Sequence, residues 1–240
     1  MSPIKLGFVG LSASGWAATT LAQPLFEEPL SSKYTLTAVS TTNPTFANAS
    51  AEKDRKLTSG TVKPYHGSTK HIANDPNVDM VAISVRTPAH VDAALPVLQA
   101  KKNLFIEWPA GSRLAGTTQN AEAAKNNGVR TLVGFQTRQA AYVRKVKEIL
   151  DSGVLGRILA TSVIVSFCYP GARGPTAFEL FNYAVDPSNG ATMLDIDGGH
   201  LIDYLFGPIA SVIGHLSNQY PTHQPIDHVS GKPTGEPRPR

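Results

Sequence analysis

The sequence predicts an α/β protein: an N-terminal domain built on a parallel sheet, followed by a partial α+β domain with antiparallel strands. Three observations carry this reading. Strand-like and helix-like segments alternate from Ile4 to Phe135, the rhythm of a parallel sheet with helices on both faces. A glycine-punctuated turn, Gly10 to Gly15, joins the first strand to the first helix. From Arg157 to Tyr169 the rhythm gives way to one long β-branched run, RILATSVIVSFCY, which suits an antiparallel sheet.

The elements follow in order. Residues 4–9 read as a short buried strand, and Trp16 to Phe26 as a helix whose end frays at Pro24 and Pro29. Tyr34 to Val39 is the second strand, Asn43 to Lys56 a polar helix, and Val62 to Tyr65 a short third strand. Ser68 to Ala73 starts a short helix, closed by the turn residues Asn74-Asp75-Pro76-Asn77. Val78 to Val85 is a buried strand. Pro88 to Ala100 is an amphipathic helix with Val91, Ala94, Leu95 and Leu98 on one face. Asn103 to Glu107 and Val129 to Phe135 are strands flanking a helix over Ser112 to Asn126. Tyr142 to Ser152 is a charged helix with Gly153 at its C-terminal end. The expected domains are 1–140, 141–220 and a tail, 221–240, whose Pro, Gly, His and charge content reads as disordered.

Composition narrows the class. The chain has 240 residues, 41% hydrophobic and 17% charged, which is ordinary for a globular protein. Cys168 is the one cysteine, so no internal disulfide can form, and its place in a strand reads as core. The net charge of +4 is spread along the chain without a basic run, so direct nucleic-acid binding is not expected. No segment approaches the ~18 apolar residues of a membrane span. The N-terminus lacks the longer apolar stretch and cleavage site of a signal peptide. A soluble cytoplasmic protein is expected, and no residue is assigned to a metal.

Gly10-Leu11-Ser12-Ala13-Ser14-Gly15 occupies the place of a G-x-G-x-x-G turn, between a strand and a helix. In a dinucleotide-binding Rossmann domain the first glycine allows the sharp turn and the last lets helix and strand pack closely. Free N–H groups at the helix start bind the pyrophosphate. Ser12 replaces the middle glycine; its Cβ limits backbone approach, and its hydroxyl can supply a hydrogen bond. Gly10, Leu11, Ser12, Ser14, Gly15 and Trp16 are the candidate residues of this corner. At the end of the second strand, Ser40, Thr41 and Thr42 stand where a carboxylate would bind the ribose of NAD. Lys53 and Arg55 are read as solvated helix charges, although either could reach a 2′-phosphate. The cofactor is NAD or NADP, and the choice stays open.

The segments GFVGLSASGWA, VAISVRTPAH, LFIEWPAG, GFQTRQAAYVRKVKEILDSGVLG and GATMLDIDGGHLIDYL resemble the glucose–fructose oxidoreductase / inositol dehydrogenase (Gfo/Idh/MocA) family in order and spacing. The GLSASGWA turn and the EWP segment are most similar to a fungal branch of galactose-repressor-like members. The resemblance implies a Rossmann domain followed by an open antiparallel sheet that faces substrate on one side and often an oligomer partner on the other. Residues 157–169 would be the first strand of that sheet. Family members are longer, so most of the sheet is expected to be missing here.

The resemblance also implies a site. The family's E-K-P segment, whose lysine assists proton transfer, corresponds to Glu107-Trp108-Pro109. Trp108 cannot move a proton, but its face can pack on a nicotinamide. His200 matches the family's acid–base histidine. The aspartate often placed four residues earlier is Ile196 here, flanked by Asp195 and Asp197. Asp203 follows His200 by three residues, so the two can meet on one helical face. His200, Asp197 and Asp203 are therefore the catalytic candidates. Thr87, Pro88 and His90, after the fourth strand, together with Glu107, Trp108 and Gln136, complete the cofactor candidates; Arg138 falls near the domain junction.

Two functions follow. One is an NAD(P)-dependent oxidoreductase acting on a sugar, polyol or related small alcohol, with His200 as base. The other is a non-catalytic dinucleotide-binding regulator working through a protein partner, in the cytoplasm or nucleus. In the second, His200 and Asp203 simply brace a helix. A homo-oligomer fits either.

Overall fold

The computed structural model of the chain describes residues 2–13, 15–58, 60–164, 193–215 and 217, with short stretches at 222–223, 230, 232–233 and 238–239. Two compact units divide it, Met1–Gly134 and Phe135–Arg240.

The first unit is a six-stranded sheet of β1 (Ile4–Val9), β2 (Tyr34–Thr41), β3 (Lys63–His66), β4 (Met80–Ile83), β5 (Asn103–Glu107) and β6 (Thr131–Gly134). The spatial order is β3-β2-β1-β4-β5-β6, and every pairing is parallel. The order reverses beside β1, so the C-terminal ends of β1 and β4 flank the crevice where such sheets bind ligands. Between the strands run α1 (Pro44–Arg55), α2 (Lys70–Ala73), α3 (His90–Gln99) and α4 (Leu114–Asn127).

Alternation along the strands sends side chains into two cores. Val81, Ile83, Leu104 and Ile106 pack under α3 and α4 with Ala94, Val97, Leu98 and Ala124. Leu6, Phe8, Leu36 and Ala82 pack on the other face with Leu11, Ala17, Ala18, Ala22 and Ala51. Strands covered on both faces read as near-continuous apolar runs, which is why their existence was legible.

Three local expectations are corrected. The segment Trp16–Phe26 is not an α-helix. It forms a π-helical turn over Ala17–Leu21, closed by Ala22 N–H on the Ala17 carbonyl, then a 3-10 turn over Gln23–Phe26. Pro24 has no N–H to continue an α-helical ladder, and the Gln23 amide instead donates to the Ala18 carbonyl at 2.9 Å. The buried face of α3 is Ala93, Ala94, Val97 and Leu98, with Val91 and Leu95 at its half-buried rim. Residues 157–164 are not a strand: a strand exists through its ladder, and among the described residues none pairs with this run. Leu159 and Ile164 stand 85% and 92% exposed. The rest of that run, including Cys168, lies outside the described residues, as do Ser14 and most of the tail.

The second unit contains α5 (Ala141–Asp151) and α6 (Met193–Phe206). Two-residue strands β7 (Thr222–His223) and β8 (Arg238–Pro239) pair antiparallel within the stretch read as disordered.

Asn43 caps α1, its Oδ1 accepting from the Phe46 N–H at 2.9 Å, with Pro44 at the first position. The buried face of α1 contains Asp54, only 3% exposed. Burial pushes its carboxyl up to about 6 from an ordinary 3.8, with the Lys53 ammonium pulling back down. Between those values the folded chain holds more protons than the unfolded one, so this group makes stability fall as pH rises. Asp54→Asn is expected to stabilise the protein at pH 7.5 by about 1–2 kcal/mol, allowing for solvent screening. At pH 3.5 the gain is expected to vanish. Urea melts at the two pH values check it.

Candidate functional site

The glycine turn leaves the end of β1 with Gly10 at φ +90°, a backbone conformation glycine alone adopts without strain. A Cβ there would lie 2.0 Å from the Ser84 carbonyl oxygen, so β1 and β4 approach as closely as backbone allows. Gly10 N–H donates to the Ser40 carbonyl at 2.8 Å, which ties the turn to the end of β2. Ser12 N–H donates to the Gly10 carbonyl at 3.0 Å, and Gly15 N–H to the Ser12 carbonyl at 3.2 Å. The amides of Leu11 and Ala13 take no partner among the described residues.

The side chains divide differently from expectation. Leu11 is fully buried in the core, so it anchors the turn from beneath. A Cβ on Gly15 would meet the Ser12 hydroxyl at 2.4 Å. Gly15 therefore makes room for that hydroxyl, where close helix–strand packing was expected. Trp16 is 55% exposed at the end of the turn and does not fill the core beneath it. Ser40 is buried, and Thr41 donates its hydroxyl to the Asn43 carbonyl at 3.0 Å. Lys53, read as a solvated helix charge, instead donates to the Ala13 carbonyl at 2.6 Å, across forty residues of sequence. Arg55 does remain at the surface, paired with Glu52 at 2.8 Å.

The loops after β4 and β5 form the second side of this edge. Thr87 is buried and Pro88 exposed. Glu107 and Trp108 are half-buried. His90 is 1% exposed. Its Nδ1 lies 2.7 Å from the Pro109 carbonyl and its Nε2 3.0 Å from that of Val85. With both nitrogens on backbone and 1% of the residue exposed, the ring braces the two loops against each other. Burial pushes the imidazole below its ordinary value, while the two carbonyls pull it up.

In the second unit, His200 sits on α6, 6% exposed, its ring 5.2 Å from that of Phe135. The feature that sequence reasoning missed is the role of Arg138. Its guanidinium donates to the His200 carbonyl at 2.9 Å and pairs with Asp203 at 3.5 Å. It also lies 4.1 Å over the Phe135 ring and 5.4 Å from that of Tyr204. Asp203 thus neutralises an arginine held more than sixty residues away in sequence. Asp197 is on α6, but its side chain lies outside the described residues; Gln136 is exposed.

The residues of the first unit fit a dinucleotide: a turn with no room for a Cβ at Gly10 and an Ala13 amide without a partner among the described residues, at the switch point of a parallel sheet. Among the described residues no helix is long and apolar enough to cross a membrane.

Comparison with known proteins agrees with this geometry. The family described as an oxidoreductase family with an NAD-binding Rossmann fold matches residues 4–135, and the Gal80p C-terminal domain matches residues 141–240. Dehydrogenase aclE of Aspergillus oryzae is 36% identical over 244 residues, covering 97% of this chain and 63% of that one. The galactose/lactose metabolism regulatory protein GAL80 of Saccharomyces cerevisiae is 28% identical, over 94% of this chain and 53% of its own. A crystal structure of a super-repressor mutant of that yeast Gal80p matches all of this chain and 62% of its own, with a TM-score of 0.82 at 24% identity. Levoglucosan dehydrogenase, solved with NADH and L-sorbose, matches all of this chain and 61% of its own, with a TM-score of 0.73 at 20% identity. The chain spans between half and two thirds of the length of these relatives. Its N-terminal sheet, its glycine turn and the match over residues 4–135 place the chain in the oxidoreductase family with an NAD-binding Rossmann fold, with a Gal80p-type second part.

Proposed function

We propose that the chain binds a nicotinamide dinucleotide at the Gly10–Gly15 turn and is an oxidoreductase acting on a sugar, polyol or related small alcohol. The observation that carries this is the turn itself, where Gly10 is pressed against Ser84 and the Ala13 amide is left to an anion. The bound nicotinamide would supply the hydride acceptor or donor. Ala13 would hold the diphosphate end through its main-chain amide, with Leu11, Ser12, Gly15 and Trp16 shaping the turn around it. Trp108 would offer a flat face to the ring. His200 would take the hydroxyl proton of the substrate, with Arg138 and Asp203 setting the position of its helix.

A second reading is favoured by one residue. Trp108 stands where catalytic relatives carry a lysine, and an indole cannot relay a proton. A regulator that binds the dinucleotide and passes the signal to a protein partner needs no such group. The similarity to Gal80 supports it, and it would work in the cytoplasm or nucleus.

The test is a thermal melt with NAD, NADH, NADP and NADPH, followed by a carbohydrate and polyol panel with whichever binds. A ligand at a hundredfold excess over its Kd is expected to stabilise the chain by about 2.7 kcal/mol. For the oxidoreductase, nicotinamide absorbance changes with at least one substrate, and His200→Ala abolishes turnover while the melt with dinucleotide is retained. Binding without turnover across the panel selects the regulator.

A further inference from the structure

In a Rossmann site the ribose lies between the glycine turn and the end of the second strand, so charge at either place decides what it meets. A carboxylate at the end of β2 accepts from the ribose diol and repels a 2′-phosphate. Here that stretch is Ser40, buried; Thr41, whose hydroxyl is spent on Asn43; and Thr42, exposed. None carries charge. The charge is supplied instead by Lys53. Its Nζ is fixed 2.6 Å from the Ala13 carbonyl, on the glycine turn itself, and the side chain is half-buried. An ammonium has three N–H groups, so one bond to Ala13 leaves two for an anion. Around it, Arg55 and Glu52 satisfy each other in solvent, while the buried Asp54 carboxylate, next along α1, attracts the ammonium in part.

We propose, resting on the dinucleotide reading above, that Lys53 makes this site selective for the 2′-phosphorylated cofactor: NADP(H) is bound in preference to NAD(H), with Lys53 donating to the 2′-phosphate while held by the Ala13 carbonyl. The anchoring matters because a lysine free in solvent would lose its rotamer freedom on binding and gain little. One already fixed at the turn has met that cost in the unliganded protein.

Direct binding of all four dinucleotides to the intact chain, by calorimetry, tests this without any turnover. The chain is expected to bind NADP at least about tenfold tighter than NAD, the size of one charge-assisted hydrogen bond. Lys53→Met is expected to weaken NADP by about that factor and to change NAD by less than about twofold; Lys53→Arg keeps the preference. Raising salt is expected to narrow the gap between the two cofactors. Thr42→Asp, on an exposed position that folding tolerates, is expected to turn the preference towards NAD. Equal losses of NAD and NADP in Lys53→Met would overturn the inference, leaving Lys53 as a strap on the turn. So would a preference for NAD in the unaltered chain, although the dinucleotide reading would then stand. If Lys53→Met does not fold, an NADP preference untouched by Thr42→Asp overturns it. Binding of none of the four removes both the inference and the reading beneath it.

Discussion

Gly10→Ala is expected to cost at least about 3 kcal/mol of folding stability. Two penalties combine. At φ +90° a side chain is strained wherever it points. The new methyl would also sit 2.0 Å from the Ser84 oxygen and 3.0 Å from the Val85 side chain. Neither side can retreat. Ser84 N–H is bonded to the Val9 carbonyl at 2.9 Å, and Gly10 N–H to Ser40 at 2.8 Å, so the turn is held by β2 while its obstacle is held by β1. Gly128 supplies the control. Its φ is +65° at the end of α4, but nothing lies within 4 Å of an added Cβ. Gly128→Ala therefore meets the backbone penalty alone, about 1 kcal/mol. Urea melts of the two variants check the contrast. Similar losses in both would mean that contact with Ser84 contributes nothing.

The sheet was legible because its signals are local. A strand covered on both faces is an unbroken apolar run, and VDMVAISV or NLFIE can be little else once Asn74-Asp75-Pro76-Asn77 and Gly111 mark their bounds. The failures occurred where a non-local condition decides. The π and 3-10 turns over residues 17–26 answer to Pro24 and to the close fit of Ala17, Ala18 and Ala22 on the sheet, and no periodicity announces them. The run at 157–164 has the composition of a strand, but a strand also needs a neighbour, and none pairs with it among the described residues.

The site divided along the same line. Gly10 was legible because one residue type meets a requirement of its own backbone. Lys53 was misread because the nearest cue, a lysine on a polar helix, is satisfied equally by solvent. Only the fold shows that α1 brings it to Ala13. Arg138 lies 62 residues from the carbonyl it binds, and no spacing rule joins them. His90 stands after β4 as expected, but that both its ring nitrogens meet backbone carbonyls, one of them nineteen residues away, is visible only in the fold.

His90→Ala is the other substitution with a large expected effect, about 3 kcal/mol at pH 7.5. It empties a fully buried space and leaves the Pro109 and Val85 carbonyls without their shared partner. A neutral imidazole has one N–H and can satisfy one of them; the imidazolium satisfies both. Burial outweighs that gain and holds the ring below its ordinary value. The unfolded chain, titrating near about 6.5, therefore binds more protons just below that pH, and this group makes stability fall on acidification. Asp54 tilts the opposite way between 3.8 and about 6. The unaltered chain is thus expected to show a shallow pH profile from two opposed slopes. His90→Ala exposes the Asp54 slope, stability rising as pH falls from 6.5 towards 4, and Asp54→Asn exposes the His90 slope. Because the ring ties the loop after β4 to the loop after β5, amide exchange at Arg86–Ala89 and Ala110–Gly111 is expected to quicken more than in the strands. If His90→Ala instead loosens the sheet and both loops alike, the imidazole is ordinary core, and the edge of the crevice keeps its shape without it.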